Sequence, residues 1–188
     1  VKKGPDRSTD IDRAGEHFVA KLNPAGTALV YATYVGGSEA EYARESIYVS
    51  NFNLDGRLIE ESYLPLETGA IVLDSVGNAW VGASTFSADL AAPGSAAGYR
   101  GGADGYVAKL SSDGSALRAL AYVGASADDV VRGLALQDGQ NILLTGSTSF
   151  TGNAPHFPIT PRAFQIQYGG NISDAFVVRL TEAAPMPP

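Results

Sequence analysis

The run Glu16-His17-Phe18-Val19-Ala20-Lys21-Leu22 returns as Asp104-Gly105-Tyr106-Val107-Ala108-Lys109-Leu110 and again as Asp174-Ala175-Phe176-Val177-Val178-Arg179-Leu180. A unit that recurs in fixed order marks a structure in which each copy buries its apolar faces against a neighbouring copy. The first two copies are followed by short turn sequences, Asn23-Pro24-Ala25-Gly26 and Ser111-Ser112-Asp113-Gly114, of the residue types that favour tight turns. Each turn opens a second β-rich run, 28–37 and 116–125, at the same spacing as the first pair.

A third run, 70–74, corresponds to 134–138, and each ends in a Gly/Asn turn, Val76-Gly77-Asn78 or Gly139-Gln140-Asn141, a hairpin signal. The fourth run, 79–85, matches 142–148 after one deletion. Four antiparallel strands per unit is the pattern of a propeller blade. The chain resembles the SBBP-type bacterial β-propeller repeats. The resemblance is carried by Phe18-Val19-Ala20-Lys21-Leu22-Asn23-Pro24-Ala25-Gly26-Thr27, by Tyr34-Val35-Gly36-Gly37-Ser38, by Asp74-Ser75-Val76-Gly77-Asn78-Ala79 and by the linker 157–165, and it covers most of residues 16–180. It implies an all-β fold of four-stranded blades in a secreted, periplasmic or cell-surface bacterial protein, and it brings no catalytic residues. Two departures from the pattern stand out: residues 45–68 are inserted in the first unit, and only two full units and one further strand are present.

The expected organisation is an N-terminal extension (1–15), a first blade with the inserted hairpin 45–68 and its linker (16–103), a second blade and linker (104–173), the first strand of a third blade (174–182) and a Pro-rich tail (183–188). Propellers need about four to eight blades, so this reads as an incomplete one. Its uncovered faces call for further blades or other protein subunits, because an apolar face left wet loses roughly 25 cal/mol per Å². The start at Val1, with Lys2, Lys3 and no apolar run behind them, reads as processed or truncated. A formal net charge of −7 provides no electrostatic funnel for nucleic acid. The absence of Cys removes disulfides and thiolate chemistry. No stretch approaches the ~20 apolar residues of a membrane-spanning helix, so any association with a membrane complex is expected to be peripheral.

Features that occur once carry most of the functional signal. The insertion holds two β-forming runs about Leu54-Asp55-Gly56, a strong hairpin sequence. Glu45, Asp55, Glu60, Glu61 and Glu67 face a single Arg57 there, yet Ile47, Val49, Phe52, Leu54, Leu58, Ile59, Tyr63 and Leu64 are too apolar to stay solvated. These eight are the candidate partner contacts, with packing on the arm's own blade as the alternative. Glu41 and Arg44 recur as Asp129 and Arg132. A carboxylate three residues before Arg in every unit reads as a structural ion pair, since one general acid per blade serves no single active site. Asp128 and Asp129 lack the loop spacing of a calcium site. His17 and His156 are too few for zinc and read as structural. Trp80, Tyr31, Tyr34 and Tyr122 read as core residues between blades. No catalytic residue, metal or cofactor is expected. The reading is a non-enzymatic structural or interaction subunit in an extracytoplasmic or membrane-associated assembly, and the alternatives are a carbohydrate-binding propeller or a carboxylate-dependent glycan hydrolase or lyase.

Overall fold

The computed structural model describes residues 16–39, 41, 46–52, 58–65, 69–90, 98–138, 141–149, 157–170 and 173–181. They form an all-β protein of antiparallel sheets, and no helix occurs among them, so none is long and apolar enough to cross a membrane. The strands are β1 (His17–Leu22), β2 (Leu29–Val35), β3 (Ser46–Phe52), β4 (Leu58–Pro65), β5 (Ala70–Leu73), β6 (Ala79–Thr85), β7 (Asp104–Leu110), β8 (Leu117–Val123), β9 (Asp129–Leu136), β10 (Asn141–Ser149) and β11 (Ser173–Thr181).

The sheets do not follow the units read from the sequence. β1 pairs with β2, and β3 with β4. β5-β6-β7-β8 make one four-stranded sheet, and β9-β10-β11 make a three-stranded one. The four-stranded sheet therefore joins the last two strands of the unit 16–103 to the first two of the unit 104–173. The division of the chain into blades at residue 104 is displaced by two strands. The reason lies in the connections: the linker after β6 returns the chain to pair beside it as β7, whereas 124–128 carries it from β8 into the next sheet.

The strand registers of the two copies match. Phe18 faces Tyr34 as Tyr106 faces Tyr122, and both hairpins slip at the same place, between Lys21 and Leu22 and between Lys109 and Leu110. Val81 faces Ile71 while its counterpart Leu144 faces Leu134, so Ile71, not Ala70, is the structural equivalent of Leu134. Side-chain acceptors fix the turns: Asp74 Oδ1 accepts the N–H groups of Val76 (3.1 Å) and Asn78 (2.9 Å). Asp113 Oδ1 accepts the Ser111 hydroxyl (2.6 Å) and the N–H of Ser115 (3.1 Å). Gly114 has φ 71°, and a Cβ there would meet the Tyr31 ring, so the second turn needs its glycine both for its backbone and for the sheet lying on it.

Alternation along each strand sends one set of side chains to the sheet before and the other to the sheet after. From β7, Tyr106, Ala108 and Leu110 join Val19 and Val35 in one core. Val107 joins Val131, Ile142, Leu144 and Phe176 in a second. Close approach in the second core is allowed by glycine: a Cβ on Gly82 would lie 3.0 Å from Val131 Cγ1, and one on Gly105 2.7 Å from Val131 Cγ2. Trp80 is 2% exposed in the same core, as its sequence position suggested. Lys109 Nζ lies 4.7 Å from its ring centroid and 3.6 Å from Asp74 Oδ2.

Leu144 sits fully buried where these two sheets meet. Leu144→Ala is expected to lower the unfolding free energy by about 2–5 kcal/mol in urea titrations. Ile71→Ala, at an exposed position, is expected to change it by about 0.5 kcal/mol or less.

Candidate functional site

Two features of the described structure stand out: buried carboxylates beside the loops between strands, and the apolar faces at the two ends of the stack.

The carboxylates are Glu41, Asp104 and Asp129, all buried. Glu41 Oε1 accepts the N–H of Gly37 and, at 2.6 Å, the hydroxyl of Ser87. Asp129 Oδ2 accepts the N–H of Ala125 at 2.7 Å, again four residues earlier, and the Thr148 hydroxyl favours its ionised form. Asp104 Oδ2 accepts the N–H of Arg100 at 2.6 Å. Each acid thus ties down a loop leading from one strand to the next, by supplying an acceptor for an N–H that has no ladder partner.

The acids come in pairs, gathered behind a glycine. The point that a Cβ on Gly124 would occupy is 2.3 Å from Asp104 Oδ1 and 2.9 Å from Asp129 Oδ2. The equivalent point on Gly36 lies 2.5 Å from Glu16 Oε2 and 2.8 Å from Glu41 Cγ. Among the described residues Glu41 Oε2, Asp104 Oδ1 and Asp129 Oδ1 have no hydrogen-bond partner. Burial first, and the neighbouring carboxylates besides, push Asp104 up to about 7. Burial likewise raises Asp129 to about 6 and raises Glu41. Two like charges taken out of water favour keeping a proton.

The recurring carboxylate accepts N–H bonds in both copies, from Gly37 to Glu41 and from Ala125 to Asp129. Arg132 is exposed, as the extra residue of a β-bulge opposite Thr145 and Gly146, where a bulged residue is turned out of the ladder. Arg44 lies outside the described residues, as do Leu54 and His156. Ile47, Val49 and Phe52 lie on β3, and Leu58, Ile59, Tyr63 and Leu64 on β4, in an antiparallel hairpin where Ile47 faces Leu64 and Phe52 faces Leu58. Their side chains are outside the described part of the structure. His17 sits against Tyr106, Nδ1 to Oη 2.9 Å, and burial lowers it to about 4, in keeping with the structural role read from the sequence. No group of three or more His, Asp or Glu able to hold a metal occurs among the described residues.

The ends of the stack carry a feature that the sequence reading placed wrongly. Tyr34 was expected in the core beside Tyr31 and Tyr122 but is 67% exposed, and Phe18 is 71% exposed. Their counterparts Tyr122 and Tyr106 pack on the preceding sheet. No described sheet precedes β1 and β2, so that face lies open with Leu22, Leu29 and Val30 also exposed. At the other end Val177 is 77% exposed while its counterpart Val107 is buried between sheets. Beside it runs a groove of roughly 1460 Å³ between β10, β11 and the segment 157–170, with Phe157, Phe164, Ile166 and Thr145 in its walls. Phe157 stacks on Phe176 at 4.5 Å, whereas Phe164 is fully exposed. The signal for these faces was present in the repeat: a residue buried in one copy has to be exposed in a terminal copy that lacks its neighbour. No family model matches the chain, and no curated protein does either.

The raised carboxyls fix the sign of a pH dependence. A folded state that holds protons above the ordinary Asp value is most stabilised below that value, and it loses the advantage as pH rises through the folded values, here about 6 to 7. Thermal unfolding midpoints are expected to fall between pH 5 and pH 8, and Asp104→Asn is expected to flatten that fall. An unchanged slope in the variant would show that Asp104 does not hold the proton.

Proposed function

We propose that this chain is a non-enzymatic structural or protein-interaction module of the β-propeller type, which docks through its open sheet faces on further blades or on other subunits. The observation that carries this reading is the same at both ends. Side chains of the middle, four-stranded sheet that are buried against its two neighbours have exposed counterparts at the margins, Phe18 for Tyr106 and Val177 for Val107. Contiguous apolar surface of this kind marks an interface rather than a solvated surface. The fixed direction of stacking, each sheet presenting one face backward and the other forward, supports a blade-like arrangement. The resemblance to SBBP-type repeats supports an extracytoplasmic or membrane-associated setting. The acidic arm 45–68 is a second contact in this reading, supported by the antiparallel pairing of β3 with β4.

Both alternatives draw less support. Asp104 and Asp129 are the nearest thing to a catalytic carboxylate pair, but both are completely buried behind Gly124, and a glycosidic oxygen must reach such a pair. Trp80, the aromatic best suited to stack on a sugar, has its faces in the core and against Lys109.

Sedimentation of the purified chain tests the docking reading. A concentration-dependent mass above 19.5 kDa, or a stable complex with its cellular partner, is expected, and Phe18→Glu with Val177→Glu is expected to weaken the association while β-rich circular dichroism persists. A folded chain of monomer mass at every concentration, with no partner recovered by crosslinking in its source cells, would contradict it.

A further inference from the structure

β11 lies at the edge of its sheet, paired with β10 on one side and with no described strand on the other. Its counterpart β7 is paired on both sides, with β6 and β8. The two strands otherwise occupy the same place: Gly146 faces Phe176 as Ala83 faces Tyr106, and Leu143 faces Arg179 as Trp80 faces Lys109. A nine-residue edge strand carrying Phe176, Val177, Val178 and Leu180 presents a row of main-chain donors and acceptors ready to pair with another chain.

We infer that the free edge of β11, with the groove beside it, takes up one extended strand of the β8 type by antiparallel β-addition. The occupant is specified by the two copies already in the chain. β2 and β8 both begin with Leu and end in Tyr-Val: Leu29, Tyr34 and Val35, or Leu117, Tyr122 and Val123. Transferring the β7–β8 register places the tyrosine opposite Phe176 and the leucine opposite Leu180. The tyrosine has a defined task in the complete sheet. The Tyr122 hydroxyl donates to the carbonyls of Ser87 (2.8 Å) and Leu90 (3.3 Å) in the linker leading toward β7. The segment 157–170 is the corresponding linker before β11, and it forms one wall of the groove. The incoming strand thus gains main-chain bonds along β11 and aromatic contact beside Phe157 and Phe176, the combination by which strand addition combines affinity with specificity.

This strand addition rests on the docking reading and names what one partner brings, but it has its own readout. Residues 1–188 are extended after Pro188 by a flexible Gly/Ser linker and a second copy of the sequence 116–125, and amide hydrogen exchange is followed by mass spectrometry. For a strand of about 0.1 mM affinity held at about 1 mM effective concentration, exchange is expected to slow about tenfold at the β11 amides not paired with β10. The same extension carrying Leu120→Pro and Tyr122→Pro in the appended copy is expected to leave β11 as fast as in the unextended chain. Equal β11 exchange with both extensions, protection confined to other strands, or β11 edge amides already slow in the unextended chain would each overturn the inference. Failure here leaves the sedimentation result as it stands, because face docking is read from mass and strand addition from β11 protection.

Discussion

Apolar burial between one sheet and the next is the constraint on which the rest of this protein depends. A two-stranded ribbon such as β1–β2 has too little surface to be stable by itself, and it is held because Val19 and Val35 pack on Val81, Ala83 and Tyr106 of the neighbouring sheet. The next interface repeats the arrangement with Val107 and Trp80 against Val131 and Leu144. Gly82 and Gly105 let the sheets approach there by leaving room for the branched methyls of Val131. Stability in such a stack is close to a sum over neighbouring interfaces, so the ends are its weakest and most reactive parts.

The buried acids serve the same geometry. Where the chain leaves a sheet, after β2 and after β8, it must turn without ladder partners for its N–H groups. Glu41 and Asp129 supply acceptors at Gly37 and Ala125, and Asp104 and Glu16 close in behind Gly124 and Gly36. The solution carries an electrostatic cost, since paired carboxyls out of water hold protons that exposed ones release. The acids at these loops thus supply acceptors to backbone N–H groups.

Much of the fold was legible from the sequence because its signals are local and repeated. The alternation in Phe18-Val19-Ala20 and Tyr106-Val107-Ala108, the Asn23 and Asp113 turns, and the Asp55-Gly56 hairpin signal all correspond to strands or turns at those places or flanking them. Sheet membership was not legible, because a repeat has no intrinsic starting point: a unit read from β1 and one read from β5 describe the same sequence period, and only hydrogen bonding between β6 and β7 decides between them. The spacing of three that joins Asp129 to Arg132 in the sequence spans a bulge, which leaves Arg132 exposed while Asp129 is buried, and a bulge of this kind has no signal in the sequence pattern. Tyr34 was misplaced because its environment depends on a neighbouring sheet and not on its own strand.

Trp80 is the chain's single tryptophan, and it lies in the interface between the four-stranded and three-stranded sheets. Its fluorescence therefore reports on sheet stacking with no competing indole. The native chain is expected to emit at short wavelength, to resist acrylamide quenching, and to lose both properties in the same urea transition that abolishes its β-sheet circular dichroism. Long-wavelength emission with free quenching in the native chain, while the circular dichroism still reads as sheet, would show strands that form without stacking and would contradict the account.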